Sequence, residues 1–159
     1  MRRALLAAGV SLALSSVVLV AQTSPAANVM PGTWKLDVAK SKYSPGPAPK
    51  SQTATLTAVE GGIRTTADRV EADGKTVHFV WTGTFDGKDN PVTGDPSRDA
   101  VSVRRPDAYT LDITNKKAGK VTTTIHAVYA KDGKSRTETV TGTNTQGQQV
   151  NNVTVWTKS

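Results

Sequence analysis

Apolar and polar positions alternate with a period of two along most of the chain beyond residue 28. Trp34, Leu36 and Val38 share one parity, as do Val77, Phe79, Trp81, Gly83 and Phe85. Tyr109, Leu111 and Ile113 form a third stripe, and Val121, Thr123, Ile125, Ala127 and Tyr129 a fourth. A weaker stripe ends the chain, carried by Val153 and Val155 or by Val150 and Trp156. One apolar face per segment predicts antiparallel strands packed on one side. Between them lie Glu60-Gly61-Gly62, Ala72-Asp73-Gly74-Lys75, Asp86-Gly87-Lys88, Lys117-Ala118-Gly119, Lys131-Asp132-Gly133-Lys134 and Gln146-Gly147, the turn chemistry of tight hairpins. Eight to ten short strands so joined predict an all-β domain over residues 28–159, a sandwich or an antiparallel up-and-down barrel. The barrel is favoured, because closure leaves no exposed strand edge.

Two segments break the rhythm. Ser44-Pro45-Gly46-Pro47-Ala48-Pro49 lacks the donors a ladder needs and reads as an extended connection. Asn90-Pro91-Val92-Thr93-Gly94-Asp95-Pro96 reads as a long loop between strands.

Composition sharpens the strand reading. From Asn28 onward there are three Leu, one Met and three Ile against 15 Val and 22 Thr, a balance that suits a pleated surface. The 159 residues fit one domain, and the absence of cysteine excludes disulfides, thiolate metal sites, a catalytic thiol and a lipid-modified cysteine anchor.

The N-terminus has a different character. Arg2 and Arg3 precede an uncharged, Leu- and Val-rich run from Ala4 to Ala21, and small residues follow. This is the layout of a secretory signal peptide over residues 1–26, cleaved after Ala21 or after Ala26. It predicts an exported protein, periplasmic or extracellular, with no stable membrane insertion after cleavage. Loss of Arg2 and Arg3 lowers the formal charge from +7 to +5. The remaining Lys and Arg are scattered over turns without an aromatic platform, so a nucleic-acid partner is not expected.

Pro31-Gly32-Thr33-Trp34-Lys35-Leu36 resembles the opening of the calycins, the lipocalins and fatty-acid-binding proteins. With Lys40-Ser41-Lys42-Tyr43-Ser44-Pro45-Gly46 after it, the chain also resembles secreted bacterial lipocalin-like proteins. The resemblance implies a barrel whose floor is closed by Trp34, with Lys158 packed on that indole. It also marks two departures. The Pro-rich segment leaves no room for the helix pair that caps fatty-acid-binding proteins. If Trp156 takes the place of their last-strand Tyr, the preceding inward Arg falls on Thr154, so the interior is expected to lack the cation that holds a carboxylate.

Catalytic and metal chemistry have little support in the sequence. His78 and His126 have parity opposite to the apolar stripes, and no nucleophile elbow or phosphate loop is present. No catalytic residue, metal ligand or cofactor is assigned, and the protein is not expected to be an enzyme. The expected role is binding of a small neutral or semi-polar apolar molecule, lined by Trp34, Leu36, Phe79, Trp81, Tyr109, Leu111, Ile125 and Tyr129. Arg69 shares parity with Ile63 and Ala67 and is expected at the rim. The alternative is a packed structural or interaction barrel of the cell envelope, with no ligand; the Thr137, Thr139, Thr141, Thr143 stripe favours it.

Overall fold

The alternating segments and their turns produce a continuous meander. The computed structural model describes residues 28–159, and ten strands follow one another there. They are β1 (Gly32–Lys42), β2 (Ser51–Val59), β3 (Gly62–Val70), β4 (Thr76–Thr84), β5 (Asp86–Thr93), β6 (Ala100–Asp107), β7 (Thr110–Lys117), β8 (Lys120–Tyr129), β9 (Ser135–Thr143) and β10 (Gln149–Lys158). Each strand pairs antiparallel with its neighbours in sequence, and β1 pairs with β10, so the barrel is closed. The count is the upper end of the expected range, and no helix occurs among the described residues. The expected signal peptide lies outside the described residues.

Trp34 closes one end. Its side chain is fully buried, its indole Nε1 donates to the Met30 carbonyl at 2.9 Å, and Tyr129 meets it edge-on at 5.3 Å between ring centres. Lys158 pairs in register with Trp34; its Nζ lies 5.0 Å from the indole centre and donates to the Val29 carbonyl at 2.8 Å. Gly32 permits this arrangement. Its φ of +134° lies where side chains rarely go, and an added Cβ would stand 2.9 Å from the Lys158 Cε. The core above this floor is built from inward residues of most strands, including Leu56, Ile63, Phe79, Trp81, Val101, Val103 and Leu111.

Several local expectations change. The stretch from Asn90 is not a long loop: β5 runs to Thr93, and Val92 is buried opposite Trp81. Pro91 is tolerated because β5 makes just two register pairs with β4, so it resembles an edge strand along that side. Val121 does not face inward and is 57% exposed. Register slips between Asn115↔Thr123 and Lys116↔Val121, leaving Thr122 as a bulge that reverses parity at the start of β8. Gly142 stands where the backbone of Thr122 comes closest, and a Cβ there would collide with the Thr122 carbonyl. In β10 the buried parity is that of Thr154 and Trp156, not of Val153 and Val155.

Ser44–Pro49 forms an extended strap, as its prolines require. Ser44 N donates to Asn152 Oδ1 at 2.8 Å and Ser44 O accepts from Asn151 N at 2.7 Å, tying the strap to β10. The strap lies at the end of the barrel opposite Trp34.

Candidate functional site

The interior opens towards the strap. An outer chamber of about 700 Å³ is bordered by Tyr43, Pro45, Pro47, the Asp95–Arg98 turn and the Asn144–Gln148 hairpin. An inner recess of about 80 Å³ lies deeper, among Ala54, Leu56, Thr65, Ala67, Phe79, Trp81, Leu111, Ile113, Tyr129 and Arg136. Gln52, Arg98, Ile125, Glu138 and Trp156 border both spaces.

Of the residues expected to line a pocket, Phe79, Trp81, Leu111, Ile125 and Tyr129 are brought together around the recess. Trp34, Leu36 and Tyr109 are not part of that wall. Trp34 lies in the floor, and Tyr109 follows the β6–β7 turn at that same closed end, where its N–H donates to Asp107 Oδ1. Leu36 is half-buried on β1 opposite Trp156.

The expectation of a cation-free interior is wrong. Arg136 on β9 pairs in register with Trp156 and is 6% exposed. The inward residue on β10 is indeed Thr154, but the cation comes from the adjacent strand. Its guanidinium carbon lies 4.5 Å from the Trp156 ring centre, 5.2 Å from Trp34 and 5.6 Å from Tyr129. Arg136 Nη1 donates to the Tyr129 hydroxyl at 2.9 Å, and Nη2 meets Glu138 Oε1 at 3.1 Å. Glu138 Oε2 accepts from the Thr154 hydroxyl at 3.2 Å, whose oxygen accepts from Trp156 Nε1 at 3.0 Å. One connected polar chain, hydrogen bonds joined by the Arg136–Glu138 ion pair, thus runs from Trp156 to Tyr129.

A second polar group sits nearer the mouth. Asp95 is buried, with Arg98 Nε at 3.1 Å and both the Ser97 N–H and hydroxyl donating to its Oδ1. Arg98 also donates to Asn115 Oδ1 at 2.6 Å and covers the Phe79 ring at 4.8 Å. Arg69 bonds Glu71 at 2.7 Å and approaches Asp95 at 3.8 Å, which places it at the rim, as expected, although its parity is that of the inward Ile63 and Ala67. Burial alone would raise the Asp95 carboxyl; Arg98, the Ser97 donors and Arg69 outweigh it and hold it below its ordinary value. Tyr43, half-buried at the mouth, is pushed up to about 12, first by burial and then by Glu138.

The polar members were missed because their stripe is nearly silent. Val140 is the apolar residue sharing parity with Arg136 and Glu138, and it alone could have marked that face as inward. His78 and His126 face outward in matching cross-strand pairs with Asp68 and Asp112, each at 2.7 Å.

No protein-family model matches the chain, and a search of curated proteins finds no match. The functional reading therefore rests on the geometry of this site.

Proposed function

We propose that the protein is an exported, lipocalin-like carrier that binds a small, uncharged, semi-polar molecule inside the barrel. The observation that carries this reading is the pairing of charge in the interior. Arg136 faces Glu138, Arg98 faces Asp95, and Arg69 at the rim faces Glu71. Each inward cation is already neutralised, so a ligand carboxylate would gain little from it and would lose its hydration. A neutral molecule avoids that cost and still finds aromatic walls and directional polar groups. The outer chamber, about 700 Å³, lies within the size range of ligand pockets. Export rests on the leader pattern of residues 1–26, and binding rather than catalysis follows from a site whose acids and bases are committed to one another.

The small volume of the recess, about 80 Å³, favours a second reading, a packed barrel that contacts envelope partners and holds no ligand. Native mass spectrometry of protein purified from its own producing cell separates the two. The carrier reading expects a mature chain that begins between residues 22 and 28 and carries a bound neutral mass. A bare chain that stays bare in host extract supports the packed barrel.

A further inference from the structure

Of the ten asparagines and glutamines among the described residues, six border the outer chamber: Gln52, Asn115, Asn144, Gln146, Gln148 and Asn152. None of the twelve lysines does. Two of the six are spent on the fold. Asn115 holds Arg98 and Thr123, and Asn144 accepts from the backbone of its own hairpin. The other four are half-buried or exposed, and each keeps an unengaged amide NH2 among the described residues. Asn152 uses only Oδ1, on Ser44, and Gln148 only Oε1, on Asn144. Gln146 accepts from Thr145 at 3.4 Å. Gln52 has no side-chain partner among the described residues and borders the inner recess as well. These side chains come from β2, from β10 and from the hairpin between β9 and β10, so neutral donors meet the chamber from several sides. Half-buried Tyr43 adds a phenol that keeps its proton.

Water at such a wall is displaced at least cost by a partner that donates, accepts and carries no charge. A carboxamide sets a donor beside an acceptor, and adjacent hydroxyls of a sugar ring present the same pair. An apolar molecule would strip these groups of water and leave them unpaired. An anion meets the wrong balance, since the charged side chains of the wall are Arg69 and Arg98 against Glu71, Asp73, Asp95 and Glu138. Building on the carrier reading, we propose that the ligand is a neutral glycoside whose sugar occupies the outer chamber. Its apolar aglycone points past Ile125 and Trp156, which border both spaces, toward the recess. Gln52 and Asn152 hold the sugar hydroxyls from the two strands that flank β1.

Calorimetric titration of the mature protein compares phenyl β-glucoside, phenyl β-galactoside and phenyl α-mannoside with two controls. Ethoxybenzene has the same aryl ether without the sugar, and phenyl β-glucuronide adds a carboxylate to it. An uncharged fluorescent probe without hydroxyls, N-phenyl-1-naphthylamine, is titrated separately. At least one hexoside is expected to bind about tenfold more tightly than ethoxybenzene, as one or two net hydrogen bonds imply. The glucuronide is expected to bind more weakly than the glucoside. Gln52→Leu removes an amide on which no other side chain depends, and Asn152→Asp removes the donor but keeps the acceptor that holds Ser44. Each is expected to lower hexoside affinity about threefold or more. Binding of the fluorescent probe stays unchanged in both, which also reports an intact barrel. If the probe binds and no hexoside exceeds ethoxybenzene, the sugar subsite is overturned and the carrier reading stands. Hexoside affinity untouched by both substitutions overturns the assignment to Gln52 and Asn152, and a glucuronide tighter than every hexoside overturns the uncharged class. Failure of the probe and of every aryl compound alike overturns the carrier reading, and the subsite with it.

Discussion

Arg136 and Glu138 stand two residues apart on the inward stripe of β9, and their side chains form an ion pair of 3.1 Å inside the barrel. Alternation puts both on the same face, and the rings of Trp34, Tyr129 and Trp156 exclude water from the cation. A buried pair of this kind contributes little net stability over an apolar substitute, but losing one member exposes the full cost of the other.

Glu138→Gln is therefore expected to destabilise the protein by about 3 kcal/mol, because Arg136 is left buried without its counter-charge. The urea midpoint measures this. The same substitution should raise affinity for carboxylates, since the interior then carries a free positive charge. Unchanged stability would mean that water reaches the guanidinium.

Trp34→Ala should cost roughly 3–5 kcal/mol, the usual range for emptying a large buried aromatic site. The loss is felt by Tyr129, Lys158 and Arg136 together, all of which pack on the indole. A thermal midpoint within a degree or two of the unmodified protein would show that the floor does not depend on it.

Thr65→Val is expected to leave stability unchanged or to raise it by up to about 1 kcal/mol, because a buried hydroxyl without a partner opposes folding. Chemical denaturation checks the sign. A clear loss of stability would reveal a partner for that hydroxyl.

Stability should also fall in acid. Asp95 is held below its ordinary value in the folded barrel, so its contribution is complete above the unfolded-state value of about 3.9 and is lost as pH falls below that. Asp86 acts in the same direction: hydrogen bonds from Lys88 and Thr84 bring it down to about 2, though its exposure limits the effect. Asp95→Asn should flatten the decline below pH 4, and urea midpoints from pH 7 to pH 3 follow it. An acid limb as steep in Asp95→Asn as in the unmodified protein would place the pH dependence elsewhere.

Most of the strand framework was readable from alternation, because the central strands carry dense apolar stripes such as Val77-Phe79-Trp81 and Leu111-Ile113. The Gly32-x-Trp34 opening and Lys158 likewise met as the resemblance implied. β9 resisted the same reading: its outward parity is Ser135 followed by four threonines, and its inward parity begins with two opposite charges. Charges inside a barrel become intelligible when the register sets them beside each other and beside Trp156. The bulge at Thr122 hid in the same way, since a one-residue slip that turns Val121 outward leaves no mark in composition. Pro91 misled for a related reason: its cost to a ladder depends on whether a neighbouring strand needs its missing donor.

The central claim is that the interior receives a small neutral molecule and not a fatty acid. Titrating the purified mature protein with N-phenyl-1-naphthylamine and, separately, with palmitate tests it most directly, through the fluorescence of Trp81 and Trp156 at the recess. A saturable change with the neutral probe and a much weaker response to palmitate are expected. Saturable binding of palmitate alone, or no response to either, would contradict it.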